Sequence, residues 1–323
     1  MANNPINAGA PKPALSGITA ESPNTVTTPL SSPGYETSAS SRPASSHRLF
    51  AFAWYAVNVL LVLSVFAALY SIVWEYSTRK YLKGFSDAIV PATAPADEKV
   101  QAILNWMAYG PARLPYASAP ALDRDPTDTL NYDALLQVCG TATNAFINLS
   151  NTGHLPVRRL LLLDSYAMAK HVVAEVLVDG RWIIVDPAYR VVLRDANGQT
   201  VTREQLSDPT IFAQATQNIH GYDPSYTFDH TVHVRIGRVP LLGKAFRPFA
   251  DRVLPGWDES TGMTLLVERE SFAATVLCIF LIIVLLLLRM SLRWFGESRL
   301  GVHRIRFREQ LLRAASAFLR SAS

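Results

Sequence analysis

The chain has 323 residues, 49% of them apolar and 17% charged, with a formal net charge of +4, which is room for one or two folded domains. Its positive charge is local: Arg289, Arg293, Arg299, Arg304, Arg306, Arg308, Arg313 and Arg320 stand against only Glu297 and Glu309. The rest is acidic on balance, so the basic pI gives no case for nucleic acid, and two cysteines exclude a disulfide-built scaffold.

Residues 1–47 are rich in Ser, Thr, Pro, Ala and Asn and poor in large apolar side chains. Such a segment cannot bury a core and is expected to be disordered. Leu49 to Trp74 then runs 26 residues without a charge. At ~1.5 Å per residue this exceeds a ~30 Å hydrocarbon core, so 49–74 reads as a transmembrane helix. Trp54, Tyr55, Tyr70 and Trp74 lie toward its ends, where amphipathic rings favour the interface. The run is too long, and begins too far along, for a cleaved secretory signal.

The segment 75–270 has the length of a single domain. Asp97 to Tyr109 carries Val100, Ile103, Leu104 and Met107 at helical spacing, and Leu135 to Leu149 carries Val138, Ala142, Ala145, Phe146 and Leu149 in the same rhythm. Arg159 to Leu163 reads as a buried strand, Lys170 to Arg190 as a hairpin, and the DANG turn at Asp195 to Gly198 as the centre of another. Thr227 to Ile236 reads as a late strand. Helices first and strands afterwards predict an α+β domain.

Phe272 to Leu288 is a second apolar run, which Arg289 can extend by snorkelling, so 272–289 reads as a second transmembrane helix. Residues 290–323 form a basic tail in which Leu300, Ile305, Leu311, Leu312, Ala315 and Phe318 alternate with arginines. That pattern suits an amphipathic helix on anionic lipid. Positive charge beside a span holds that end in the cytoplasm. Both termini are therefore expected inside, with the central domain extracytoplasmic, most naturally at a bacterial inner membrane.

The hairpin carries the chemistry. If Asp179-Gly180 is a two-residue turn, Val178 faces Arg181, Asp186 faces Val173, and His171 shares a face with Val173. His171 and Asp186 become diagonal neighbours, ~7–8 Å apart along the backbone and within side-chain reach. The carboxylate can then fix the tautomer of the imidazole and stabilise its charged form. Cys139 is the one cysteine of the central segment, near a helix start that favours a thiolate. A nearby imidazolium would lower its pKa further, making a nucleophilic Cys–His pair. Cys139, His171 and Asp186 are therefore the candidate catalytic residues.

Glu175 falls on the His171 face and is expected to pair with Arg158 or Arg159, while Trp106 and Trp182 read as packing residues. The Cys139 backbone N–H, and less directly the Gln137 side chain, are candidate oxyanion donors. His220, His230 and His233 lack any metal-binding spacing, so neither metal nor cofactor is expected. The N-L-S triplet at Asn148 lies on the expected helix, which argues against glycosylation.

These residues together resemble the transglutaminase-like superfamily, which shares a papain-like cysteine-enzyme core. Cys139 opens VCGTATNAF, a small-residue helix start. GHLPVRRLLL, from Gly153, is similar to the family's Gly-, Pro- and Arg-containing strand entry, and H-V-V-A-E-V, Trp182 and V-D-P follow in the family's order. DEKVQAILNWMAY resembles the helix that opens such domains. The resemblance covers about 97–190, and Gly140 departs from it, since many members carry a larger or acidic residue there. It implies Cys139 as nucleophile, His171 as general base and Asp186 as its orienting partner, acting on peptide or protein amides through a thioester. Hydrolysis, as in a peptidase or amidase, is the first expectation, and transfer to an amine is the alternative. A reading of another class is an idle scaffold module holding an envelope protein partner.

Overall fold

In the computed structural model, residues 44–111, 113, 126–235 and 243–300 are described. From Ser45 onward the described residues form one unit. The Ser/Thr/Pro-rich segment up to residue 43 and the basic tail beyond Leu300 lie outside the described residues.

Helix α1, Ala44–Ile89, contains the first apolar run but does not stop at Trp74. Past Glu75 its character changes: Leu82 is fully buried, and Phe85 and Ile89 pack against the domain core. The long C-terminal helix, Glu270–Arg299, likewise overruns the second expected span. Both helices are long and apolar enough to cross a membrane. They lie antiparallel. Ser71 Oγ is 3.7 Å from Cys278 Sγ, the Arg289 guanidinium sits 5.5 Å over the Trp54 ring, and Gly296 receives the Phe50 ring so closely that a Cβ would stand 2.6 Å from it. Elsewhere Phe52, Leu63, Phe66, Leu277, Phe280 and Leu287 point outward and are more than half exposed.

The domain between them is α+β. Helix α2, Ala96–Tyr109, buries Val100, Ile103, Leu104 and Met107, the stripe its periodicity requires. A short helix α3, Pro126–Asn131, and a 3₁₀ turn, Asp133–Gln137, lead to α4, Cys139–Thr152. Five strands follow: β1 Val157–Leu163, β2 Ala169–Val178, β3 Arg181–Asp186, β4 Val191–Val192 and β5 Thr231–Val232, in the antiparallel order β4-β3-β2-β1-β5. Between β4 and β5 lie two short helices, α5 Arg203–Leu206 and α6 Pro209–Thr216. After β5 come α7, Gly243–Val253, and α8, Thr261–Glu268, which leads directly into α9, the Glu270–Arg299 helix.

Both faces of the sheet are covered, which explains why VVAEVLV and VRRLLLL do not alternate cleanly. On one face Val157, Ala174, Val176, Ile183 and Val185 meet α2, α4 and the end of α1. On the other, Leu160, Leu162, Val173 and Ile184 meet Leu206, Phe212, Ala215 and Phe228.

Two expectations need correction. Val138 does not belong to the buried stripe of the Leu135–Leu149 helix: it is extended (φ −91°, ψ 127°), 54% exposed and caps α4, because the chain turns there from the 3₁₀ segment into the helix. The late strand is also shorter than Thr227 to Ile236. Among its described residues only Thr231 and Val232 pair, with Leu162 and Leu161, and the preceding residues instead turn toward the sheet's second face, where Phe228 is buried; Ile236 lies outside the described residues.

A buried polar knot joins the apolar helices to the domain. Arg269 is 1% exposed and donates to Glu75 Oε1 (3.1 Å) and Asn148 Oδ1 (2.8 Å), while Ser271 donates to Glu75 Oε2 (2.7 Å). Asn144 holds the Glu268 carboxylate at 2.9 Å, and Arg159 pairs with the same group. Asn148 is 0% exposed, so the N-L-S triplet is not available in the folded chain.

Candidate functional site

The β2–β3 hairpin has the register that a two-residue turn dictates: Val178 pairs with Arg181, Val176 with Ile183, and Ala174 with Val185. Asp179 (φ 47°) and Gly180 (φ 78°) both occupy the left-handed region, as a type I′ turn requires. Asp186 is therefore carried to the diagonal of His171. The contact is made at 2.7 Å, from His171 Nε2 to Asp186 Oδ2, with the two residues 2% and 0% exposed.

Local devices aim both groups. Leu162 pairs with His171 but Leu163 with Ala169, leaving Lys170 as the extra residue of a bulge, a feature that bends a strand and re-aims its side chains. Asp186 begins the Asp-Pro turn, and its Oδ1 accepts from the backbone N–H of Ala188 (3.1 Å) and Tyr189 (3.3 Å). The carboxylate is thus held through one oxygen and offers the other to His171.

Cys139 is the first residue of α4, with its side chain partly exposed. The Thr141 hydroxyl donates to the Leu135 carbonyl and ties the 3₁₀ turn to the first turn of the helix, while Thr143 donates to the Val172 carbonyl at 3.0 Å and pins α4 against β2. This sets the Cys139 thiol beside the His171 ring, near enough for each to shift the protonation of the other. Since Nε2 is committed to Asp186, Nδ1 is the nitrogen left for the thiol.

The electrostatics fit an ion pair. The neighbouring His171 ring holds the Cys139 thiol below its ordinary range despite opposing burial, with further help from the backbone at Val172 and Gly140. Burial works against the His171 imidazolium, but the bonded Asp186 carboxylate and the neighbouring Cys139 sulfur outweigh this and push it up to about 9. A thiolate beside an imidazolium is the reactive form of a cysteine nucleophile. The Cys139 N–H, at the start of a 14-residue helix, is also free of the helical ladder and suited to an oxyanion.

Other candidates are placed elsewhere. Gln137 turns to Asp133 Oδ2 (3.2 Å) rather than to the sulfur. Trp106 packs edge-on to Phe85 (5.6 Å) and beneath the Arg113 guanidinium (4.6 Å). Glu175 pairs with its cross-strand neighbour Arg158 at 2.5 Å, which lies 4.1 Å over Trp182. Gly140 has space for a side chain, since an added Cβ would meet nothing within 4 Å. Among the described residues no group of three His, Cys, Asp or Glu side chains is placed to hold a metal ion.

Sequence reasoning missed two features. His233 is buried and lies 2.7 Å from Glu175 Oε2; as one of three scattered histidines, just past β5, it carried no signal of its own. Tyr189, Tyr222 and Tyr226 surround the His171 ring, with centroids at 6.0, 6.2 and 4.2 Å. The repeated tyrosines of GYDPSY were the only mark of Tyr222 and Tyr226. No protein-family model, curated protein or solved structure matches this chain.

Proposed function

We propose that the chain is a membrane-anchored cysteine enzyme of transglutaminase-like, papain-like kind, acting on peptide or protein amide bonds through a thioester. The observation that carries this reading is the buried His171–Asp186 contact at 2.7 Å, facing a cysteine at a helix start. The Cys139 thiolate attacks the carbonyl carbon. Negative charge develops on the carbonyl oxygen, near the Cys139 N–H. The His171 imidazolium gives its proton to the leaving amine as the C–N bond breaks, leaving a thioester and a neutral imidazole. Neutral His171 then takes a proton from water, whose oxygen attacks the thioester and releases the acid and the thiolate. Hydrolysis is favoured over transfer because Cys139 is partly open to solvent and water is the default second substrate.

The two long apolar helices, side by side with the domain at one end, support anchoring in a bilayer. The arginine-rich flank after Leu288 supports cytoplasmic termini and an extracytoplasmic domain, as in a bacterial inner membrane.

The test is an electrophilic acylating probe applied to the full chain in detergent or nanodiscs, in a Cys278→Ser background. Labelling at Cys139 that His171→Ala abolishes is the expected result. A folded protein that stays unlabelled, or one labelled equally without His171, would refute the enzyme and leave a binding scaffold.

A further inference from the structure

The segment after α6 lies outside the 97–190 stretch, yet it reaches back to the site. It is built to be stiff. Gly221 takes φ +72°, which a glycine adopts freely, and reverses the chain. Asp223-Pro224-Ser225-Tyr226 then closes a tight turn, with Asp223 Oδ1 accepting from Ser225 N–H (2.8 Å) and the Asp223 carbonyl from Tyr226 N–H (3.1 Å). Two braces fix this turn over the hairpin. Tyr189 Oη donates to the Gly221 carbonyl at 3.0 Å, and the Tyr222 ring is wedged between Tyr189 (4.7 Å) and core residue Phe212 (6.1 Å).

The consequence falls on one ring. Tyr226 lies parallel to the His171 imidazole, 2° from coplanar orientation and 4.2 Å between centroids, while Tyr189 and Tyr222 present edges to it at 64° and 81°. A hydrogen bond such as the one from Nε2 to Asp186 sets the in-plane direction of an imidazole but resists tilting out of that plane poorly. A flat face braced from behind supplies the missing restraint. A π face also attracts a cation, most strongly where water is excluded.

We propose that Tyr226 is a positioning residue for His171: its ring face holds the imidazole in the plane that serves Asp186 and Cys139 together, and favours the protonated ring. This rests on the Cys139–His171 reading above. The groups facing His171 are the Asp186 carboxylate on β3, the Asp223 carboxylate in the turn, the Cys139 thiol on α4, and the phenols of Tyr189, Tyr222 and Tyr226. The phenols are neutral at working pH, Tyr222 and Tyr226 being held up by burial first and by nearby carboxylates second.

The experiment is carried out on the full chain in nanodiscs, in the Cys278→Ser background. Two titrations are measured: the rate of Cys139 alkylation against pH, and the His171 ring resonances in protein labelled with ¹³C-histidine. The variants are Tyr226→Phe, Tyr226→Leu and Tyr226→pentafluorophenylalanine; the last keeps the ring but removes its negative face. Tyr226→Phe should behave as wild type. Tyr226→Leu and the fluorinated variant should lower the His171 midpoint and raise that of Cys139, each by about one pH unit, or tenfold in the corresponding equilibrium. Unchanged midpoints in a folded leucine or fluorinated variant would reduce Tyr226 to packing and overturn the proposal. The fluorinated variant, nearly the size of the native ring, decides the matter if the leucine variant does not fold. An ordinary thiol titration for wild-type Cys139 would sink the paired-nucleophile reading instead, and the His171 resonances would still judge the stack.

Discussion

Replacing Asp186 with asparagine isolates what the carboxylate does for His171. Asp186 Oδ1 accepts from two backbone N–H groups, so in Asp186→Asn the carbonyl oxygen can keep that role and the fold should persist. The amide nitrogen must then occupy the place of Oδ2, 2.7 Å from His171 Nε2. Two donors would face each other if the ring were protonated, so the substitution forces a neutral ring with its proton on Nδ1. In the native chain the ring rises from the ordinary 6.5 to about 9 against opposing burial, with Asp186 the larger of its two supports. That rise is roughly 3 kcal/mol at ~1.36 kcal/mol per unit, and losing most of it corresponds to a loss of about 10²-fold in turnover. The basic limb of the pH profile, expected near 9 because the imidazolium is lost as pH rises through its folded value, should move to acid. The acid limb, set by a thiol held low by His171, should move up as the thiolate loses its partner. The assay is hydrolysis of a small amide or ester across pH, with circular dichroism as the check on folding. A folded Asp186→Asn protein with full activity and unmoved limbs, while Cys139→Ser is inactive, would show that another group orients His171.

Inserting one glycine between Asp179 and Gly180 should slip the hairpin register, turn Asp186 to the opposite face, and cost at least as much activity as Asp186→Asn; a folded, active insertion variant would contradict the diagonal geometry. Arg269→Met removes the buried partner of Glu75 and Asn148, so melting in detergent should show a loss of about 3–5 kcal/mol. Adding Glu75→Gln should recover part of it, and a single-variant loss below about 1 kcal/mol would mean the knot is not what fastens the helices to α4. Reporter fusions after Arg320 should be active only in the cytoplasm, since the helices run antiparallel and the flanking arginines hold that end inside; fusions active only outside would refute the orientation.

The parts legible in the sequence were those set by short-range rules. The α2 stripe from Val100 to Met107, the two apolar runs, and the hairpin register were readable because helical periodicity, bilayer thickness and a two-residue Asp-Gly turn each act within one segment. From that register came the His171–Asp186 pair, and the position of Cys139 before a small-residue helix suggested the thiol. Tertiary structure decided the rest. Only packing could start α4 at Cys139 rather than at Leu135, expose Val138, and send Gln137 to Asp133. Only packing could bring His233 to Glu175, separated by 58 positions in sequence, or fold GYDPSY back so that Tyr226 lies on His171. Arg269 reads as one more arginine beside a span, and becomes a buried anchor only because α1 and α4 meet it from distant parts of the chain. These contacts arise from loop closure and from the covering of both sheet faces, and neither leaves a periodic mark in the residues that make them.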